Sequence, residues 1–154
     1  LPVEQRTICV EAEFNSRADG LGPLLELYGI PRGSAEGVPD DNISIYDTGA
    51  VYTATDRGTC NFGEVFSTDG RIDSLDLTLL EDDLGYFPAY NAAAVVNTET
   101  LETYPELEEI YGAVSEALTD EVLRELNLRV DEGGELPADV ALDFLVQEGF
   151  VTEP

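Results

Sequence analysis

The sequence predicts an α/β fold in which a parallel-rich sheet flanked by helices is followed by a C-terminal helical segment. Two observations carry this. Between residues 7 and 66, short strand-like apolar stretches alternate with helical ones, and strand–helix–strand–helix–strand is the pattern of a parallel sheet with right-handed crossovers. From Thr98 onward the character changes, and amphipathic stretches of helical spacing follow one another with no strand between them. A chain of 154 residues, 43% hydrophobic, is long enough for a core of its own, so one compact unit is the expectation.

TICVE (7–11) alternates as a short strand does. GLGPLLELYG (20–29) spaces its leucines helically and stops at Gly29 and Pro31. The turn-rich loop PRGSAEGVPDDN leads to a second strand, NISIY (42–46). DTGAVYTATDRG then opens with the capping residues Asp47 and Thr48 and ends at Gly58, as a helix would. NFGEVF (61–66) is the third strand. TDGRIDSL reads as a turn or short helix, and DLTLLED (76–82) and NAAAVVN (91–97) as two more strands. The later helices start at Thr98, Pro105, Thr119 and Pro137. The chain thus divides into an α/β part, residues 1–97, and a helical segment, 98–154, with no internal repeat. The helical segment must cover the sheet or pack against something else.

The net charge of −26 repels phosphate backbones and anionic lipid, which argues against nucleic-acid and membrane-surface partners. All seven basic residues are Arg. Such a bias fits genome composition or an acid-tolerant, salty or extracellular setting. The absence of His removes the commonest general base and metal ligand, which puts enzyme readings at a disadvantage. No stretch approaches the roughly 18 apolar residues of a membrane span. With neither an initiator Met nor a signal-peptide pattern, the chain reads as a mature product or an excised piece.

In a doubly wound sheet the first strand commonly lies beside the third, which would bring Cys9 close to Cys60. A disulfide there would contribute on the order of 4 kcal/mol by chain entropy and would imply an oxidising, exported setting. The alternative is a pair of buried free thiols. A catalytic cysteine is disfavoured because no His is present to lower its pKa.

Three stretches hold the side chains with chemistry to offer: EFNSRADGL (13–21), EVFSTDGRI (64–72) and YFPAYNAA (86–93). Each follows or enters a predicted strand, at the edge where ligands sit in open α/β sheets. The order F-x-x-R-x-D-G-L, aromatic-S-T-D-G-R-I, L-E-D-D-x-G-Y-F-P-x-Y-N-A-A, Y-P-E-L-E-E and L-x-E-L-N-x-R-V-D resembles the quaternary-amine substrate-binding proteins of ABC importers. These are receptors for glycine betaine, choline, carnitine and related osmoprotectants.

The resemblance runs over nearly the whole chain. It implies the second lobe of a periplasmic-binding-protein-like (type II) receptor, with hinge strands inside residues 1–97. The first lobe would precede Leu1, and residues 98–154 would return to it. LPVEQR would be the inter-lobe connection and Asn91 would lie near the return crossing. The protein would bind a small quaternary amine without a cofactor and work beside an ABC permease. It would sit outside the cytoplasm, as a periplasmic protein or cell-surface lipoprotein. Without the first lobe, an uncovered apolar face on residues 105–150 would favour a homo-oligomer.

A trimethylammonium group has no N–H to donate, so aromatic faces suit it, at about 0.5–2 kcal/mol per ring. By resemblance, Tyr90 in F-P-x-Y-N and Phe66 before S-T-D-G are cage residues. The family usually carries Tyr at the second position, so Phe66 keeps the face, loses a hydroxyl and leaves the ligand's identity open. Arg17 matches the family's carboxylate-binding Arg, whose planar fork holds a carboxylate in bidentate fashion. The plain alternatives are a surface ion pair of Arg17 with Asp19 or Glu13, and core packing of Phe66 and Tyr90. Asp69 and Arg71 read as turn stabilisers. Tyr86 and Phe87 read as packing near the hinge, with Pro88 aiming Tyr90 at the cleft. Asp40-Asp41 and Glu81-Asp82-Asp83 read as solvated surface, since no calcium-loop spacing is present. Two other readings remain: the effector domain of a regulatory or sensory protein with the same fold, and a hydrolase using acidic pairs.

Overall fold

The computed structural model describes residues 1–88 and 92–152. The chain forms two compact units. Leu1–Phe66 with Arg71–Pro88 make the first, and Ser67–Gly70 join the C-terminal part of the chain in the second.

The first unit is built on three short parallel strands, β1 (Ile8–Val10), β2 (Ile43–Ile45) and β3 (Phe62–Gly63), in the order β2-β1-β3. Ile8 stands opposite Ile43 on one side and Phe62 on the other. Two helices, α1 (Ala12–Ser16) and α2 (Leu21–Leu27), lie between β1 and β2 in sequence, and α3 (Thr48–Asp56) lies between β2 and β3. Successive strand side chains point to opposite faces. Val10, with Ile8 beside it, packs with Phe14, Leu21, Leu25 and Val38, whereas Cys9 packs with Val51, Ala54 and Cys60. One face is therefore covered by α1 and α2 and the other by α3. Each Val, Leu, Ile or Phe side chain among them contributes about 1.5–3 kcal/mol when fully buried. The adjacency of β1 and β3 closes the Cys9–Cys60 disulfide, with Cα atoms 5.7 Å apart.

Asp47 occupies the N-cap of α3 without a side-chain capping bond, and Gly58 beyond its end takes the left-handed φ of 70° that a glycine permits. The short helix α4 (Arg71–Ser74) follows β3 after the Ser67–Gly70 excursion. DLTLLED, expected as a strand, is not one: Asp76 turns the chain with a φ of 52°, and Leu79 and Leu80 stay exposed with no neighbouring strand. NAAAVVN is corrected likewise over its described residues, where Val95 is 99% exposed. An apolar run becomes a strand only where a sheet edge offers partners.

Residues 82–87 fold back instead onto α1 and α2. Tyr28, just beyond α2, donates its hydroxyl hydrogen to Asp82, which also accepts from the Phe87 N–H. Phe87 stacks on Phe14 at 6.1 Å, and the Tyr86 hydroxyl donates to the Gly20 carbonyl at 2.9 Å. Tyr86 and Phe87 thus pack. Asp82, expected as solvated surface, is a structural anchor.

The second unit holds α5 (Thr98–Thr103), α6 (Glu106–Ala117), α7 (Asp120–Asp131) and α8 (Pro137–Gln147), beginning within a residue of the starts read from sequence. Asn97 Oδ1 caps α5 by accepting from Glu99 N–H, Thr119 Oγ1 caps α7, and Pro137 opens α8. Arg129 on α7 binds Glu135 and, at 2.7 Å, Asp143 on α8. The Ser67–Gly70 loop is held by α7: Arg124 donates to the Ser67 carbonyl and Asn127 to the Thr68 carbonyl, both at 2.8 Å. Gly70 leaves no room for a side chain there, since a Cβ would lie 2.7 Å from Leu128 Cα. On α6, Ile110 and Tyr111 remain exposed.

Candidate functional site

Because the three strands are parallel, their carboxyl ends share one edge, the usual ligand side of such a sheet. Glu11 follows β1, Tyr46 and Asp47 follow β2, and Glu64 follows β3. Ladder bonds continue to this edge: Tyr46 N–H donates to the Val10 carbonyl at 3.0 Å and Glu64 N–H to the Cys9 carbonyl at 2.9 Å.

Two residues past Glu64 lies Phe66. Its backbone N–H donates to the hydroxyl of Tyr52 at 3.0 Å, while its ring is left 55% exposed. Tyr52 is fully buried on α3, and the Arg71 guanidinium lies over its ring at 4.3 Å. The backbone of Phe66 is therefore fixed from the interior while an apolar face is offered outward. Core packing, the plain alternative, does not describe this ring.

Arg17 closes α1. Its backbone N–H donates to the Glu13 carbonyl, and its guanidinium lies 5.8 Å above the ring of buried Phe14. Arg17 Nε pairs with Asp19 Oδ1 at 2.6 Å, with the arginine side chain about two-fifths exposed. Tyr90 lies outside the described residues.

Sequence reading missed Glu64, Glu11 and Tyr52. Glu11 N–H donates to Glu64 Oε2 at 2.8 Å, and Glu11 Oε1 is buried with no hydrogen-bond partner. Burial pushes the Glu64 carboxyl above its usual range; the Glu11 N–H and the Arg17 charge oppose this, and the Glu11 and Glu13 charges add to it. No local pattern announces these contacts, because Glu64 and Glu11 are 53 residues apart. The Arg71 guanidinium also lies over the Tyr52 ring, a contact that its reading as a turn stabiliser does not include. Among the described residues no cluster of acids or cysteines is arranged to hold a metal ion. Nor is any helix among them long and apolar enough to cross a membrane.

The family model for the substrate binding domain of ABC-type glycine betaine transport systems (OpuAC) matches residues 2–147. The chain belongs to this family. The glycine-betaine-binding protein of Pseudomonas aeruginosa PAO1 is 39% identical over 94% of this chain and 44% of its own length. The ergothioneine transport permease/ergothioneine binding protein EgtU of Helicobacter pylori G27 is 32% identical over 90% of this chain and 24% of its own. The solved structure of a glycine betaine/carnitine/choline ABC transporter superposes with a TM-score of 0.80 at 29% identity. It is matched over 94% of this chain and 50% of its own. The chain thus spans about half, or less, of the proteins it matches. The fold is periplasmic-binding-protein-like α/β, as expected from sequence. That the curated relatives are named for binding and transport supports a non-enzymatic reading of OpuAC-type chains such as this one.

Proposed function

We propose that this chain is the second-lobe part of a solute-binding protein serving an ABC importer for quaternary ammonium osmoprotectants. Phe66 and Tyr90 offer ring faces to the cation, and Arg17 takes a carboxylate. The observation that carries the reading is the Phe66 ring, exposed at the carboxyl edge of the sheet while its backbone is tethered to Tyr52. Family membership and the names of the relatives support this chemistry. Glycine betaine, carnitine and ergothioneine all join a trimethylammonium group to a carboxylate, the two ends that aromatic faces and an arginine fork suit. Binding Arg17 in bidentate fashion would require the ligand to compete with Asp19 for the guanidinium.

On this reading residues 1–97 hold the ligand part and residues 98–154 return to a first lobe. The exposed side of α6 with Ile110 and Tyr111 is the surface it would cover, and left uncovered it promotes self-association. The protein works outside the cytoplasm beside its permease, and closing of two lobes around the ligand creates the form the permease recognises.

Calorimetry tests this. Two rings supply about 1–4 kcal/mol together, against an association cost of at least several kcal/mol. The isolated chain should therefore bind glycine betaine at about millimolar affinity or weaker. Phe66→Ala and Tyr90→Ala should weaken glycine betaine, carnitine and choline alike. Arg17→Ala should weaken the first two and largely spare choline. An Arg17→Ala loss equal for choline and glycine betaine, or micromolar binding by the isolated chain, would show the site to be wrongly assigned.

A further inference from the structure

Glu64 joins the two arms of the candidate site. Its backbone belongs to the exit of β3, two residues before Phe66, and its side chain accepts from the N–H of Glu11 at 2.8 Å. Glu11 is the N-cap residue of α1, a helix of five residues that ends against Arg17. So short a helix has no stability of its own in water. Its placement, and with it that of Arg17, rests on what fixes its start and on the burial of Phe14. The start is fixed by Glu64. The other arm is fixed by Tyr52, which holds the Phe66 backbone.

The same carboxylate works against folding. Burial and the like charges of Glu11 and Glu13 disfavour its ionised form, with the Glu11 N–H and the Arg17 charge opposing them. That cost is borne at the position whose side chain reaches the Glu11 N–H, where an apolar side chain would leave this donor without its acceptor.

We infer that Glu64 is a positioning residue for ligand recognition: through the Glu11 N–H it fixes the reach between the Phe66 ring and the Arg17 guanidinium. It thereby sets the separation of cation and carboxylate that the edge accepts. The inference rests on the reading of Phe66 and Arg17 proposed above. A ligand that touches both arms depends on this reach, whereas a bare cation that touches only the ring does not. Glutamine keeps the acceptor oxygen; alanine removes it.

NMR titration of the labelled chain with glycine betaine and with tetramethylammonium tests this in the wild type, Glu64→Gln, Glu64→Ala and Phe66→Ala. Losing one hydrogen bond to a charged group should lower glycine betaine affinity about tenfold in Glu64→Ala, and tetramethylammonium affinity less than about twofold. Glu64→Gln should restore glycine betaine binding and return the Glu11 and Arg17 amide shifts that Glu64→Ala displaces. Weakened tetramethylammonium binding in Phe66→Ala, together with losses in Glu64→Ala that are equal for the two ligands, would overturn the role of Glu64 alone. Tetramethylammonium binding unchanged in Phe66→Ala would overturn the site reading and this role with it.

Discussion

The phenol of Tyr28 donates to Asp82 Oδ1 at 2.7 Å, joining the end of α2 to a carboxylate 54 residues further along the chain. The other oxygen of Asp82 accepts from the Phe87 N–H at 2.8 Å. The bond to Asp82 and, next, burial push the Tyr28 phenol from 10.0 up to about 12. The Phe87 N–H, then the Tyr28 hydroxyl, hold the Asp82 carboxyl below its ordinary value. For Tyr28, the stabilisation is complete below about 10 and is lost as pH rises towards about 12. For Asp82, it is present above the ordinary carboxyl value of 3.8 and is lost as pH falls below it. Tyr28→Phe should lower the melting temperature by a few degrees at neutral pH and remove one late-titrating phenol from the alkaline absorbance curve. A variant that melts as the wild type does, with an unchanged curve, refutes the clamp.

Glu64 has the opposite balance at neutral pH. Because its folded-state value is raised, the proton is held more tightly in the folded protein, and the destabilisation grows as pH rises from the ordinary value of 4.5 through the folded one. Glu64→Gln should therefore melt at or above the wild type at neutral pH, with the difference closing as pH falls below 4.5. A Gln advantage that widens on acidification would show the sign to be wrong.

The Cys9–Cys60 bridge closes a sequence separation of 51 residues, which corresponds to about 4 kcal/mol in the chain-entropy model. Both cysteines are buried, so reductant should act mainly on opened molecules. Alkylation without reduction should add no mass, and prolonged reduction should lower the melting temperature by many degrees. Two alkylated thiols in unreduced protein would contradict the pairing.

Salt should stabilise this protein. A net charge of −26 repels itself in the compact state, and that repulsion is screened as the Debye length falls from about 10 Å at 0.1 M to about 3 Å at 1 M. The melting temperature should climb through the low range of sodium chloride, where screening dominates. A flat or falling curve there would mean that the charges are already locally compensated.

What was legible in the sequence was what local chemistry encodes. TICVE alternates as a short strand does, and the common adjacency of the first and third strands in a doubly wound sheet points to the Cys9–Cys60 pairing, with free thiols as the alternative that the disulfide now removes. Asn97, Thr119 and Pro137 marked helix starts because caps act within one turn. DLTLLED has the apolar content of a strand and lacks a partner, a fact that is not local. Asp82 in an acidic run looked solvated because its donors, Tyr28 and the Phe87 N–H, come from the folded arrangement. The family resemblance singles out Arg17 and Phe66 only as candidates, whereas Glu64 carries no motif and its bond to Glu11, 53 residues away, exists only in the folded chain.

The four residues Ser67–Gly70 belong to the second unit although the chain on both sides of them belongs to the first. The backbone therefore passes from one unit to the other three times, after Phe66, after Gly70 and again beyond Pro88. No single cut separates the units. A gene shortened after Pro88 would strip the Ser67 and Thr68 carbonyls of Arg124 and Asn127 and leave Gly70 facing no helix. Recombination that exchanged the C-terminal helices for those of a relative would succeed only where the incoming helix keeps an arginine and an amide at these two positions, with backbone bare enough to receive a glycine.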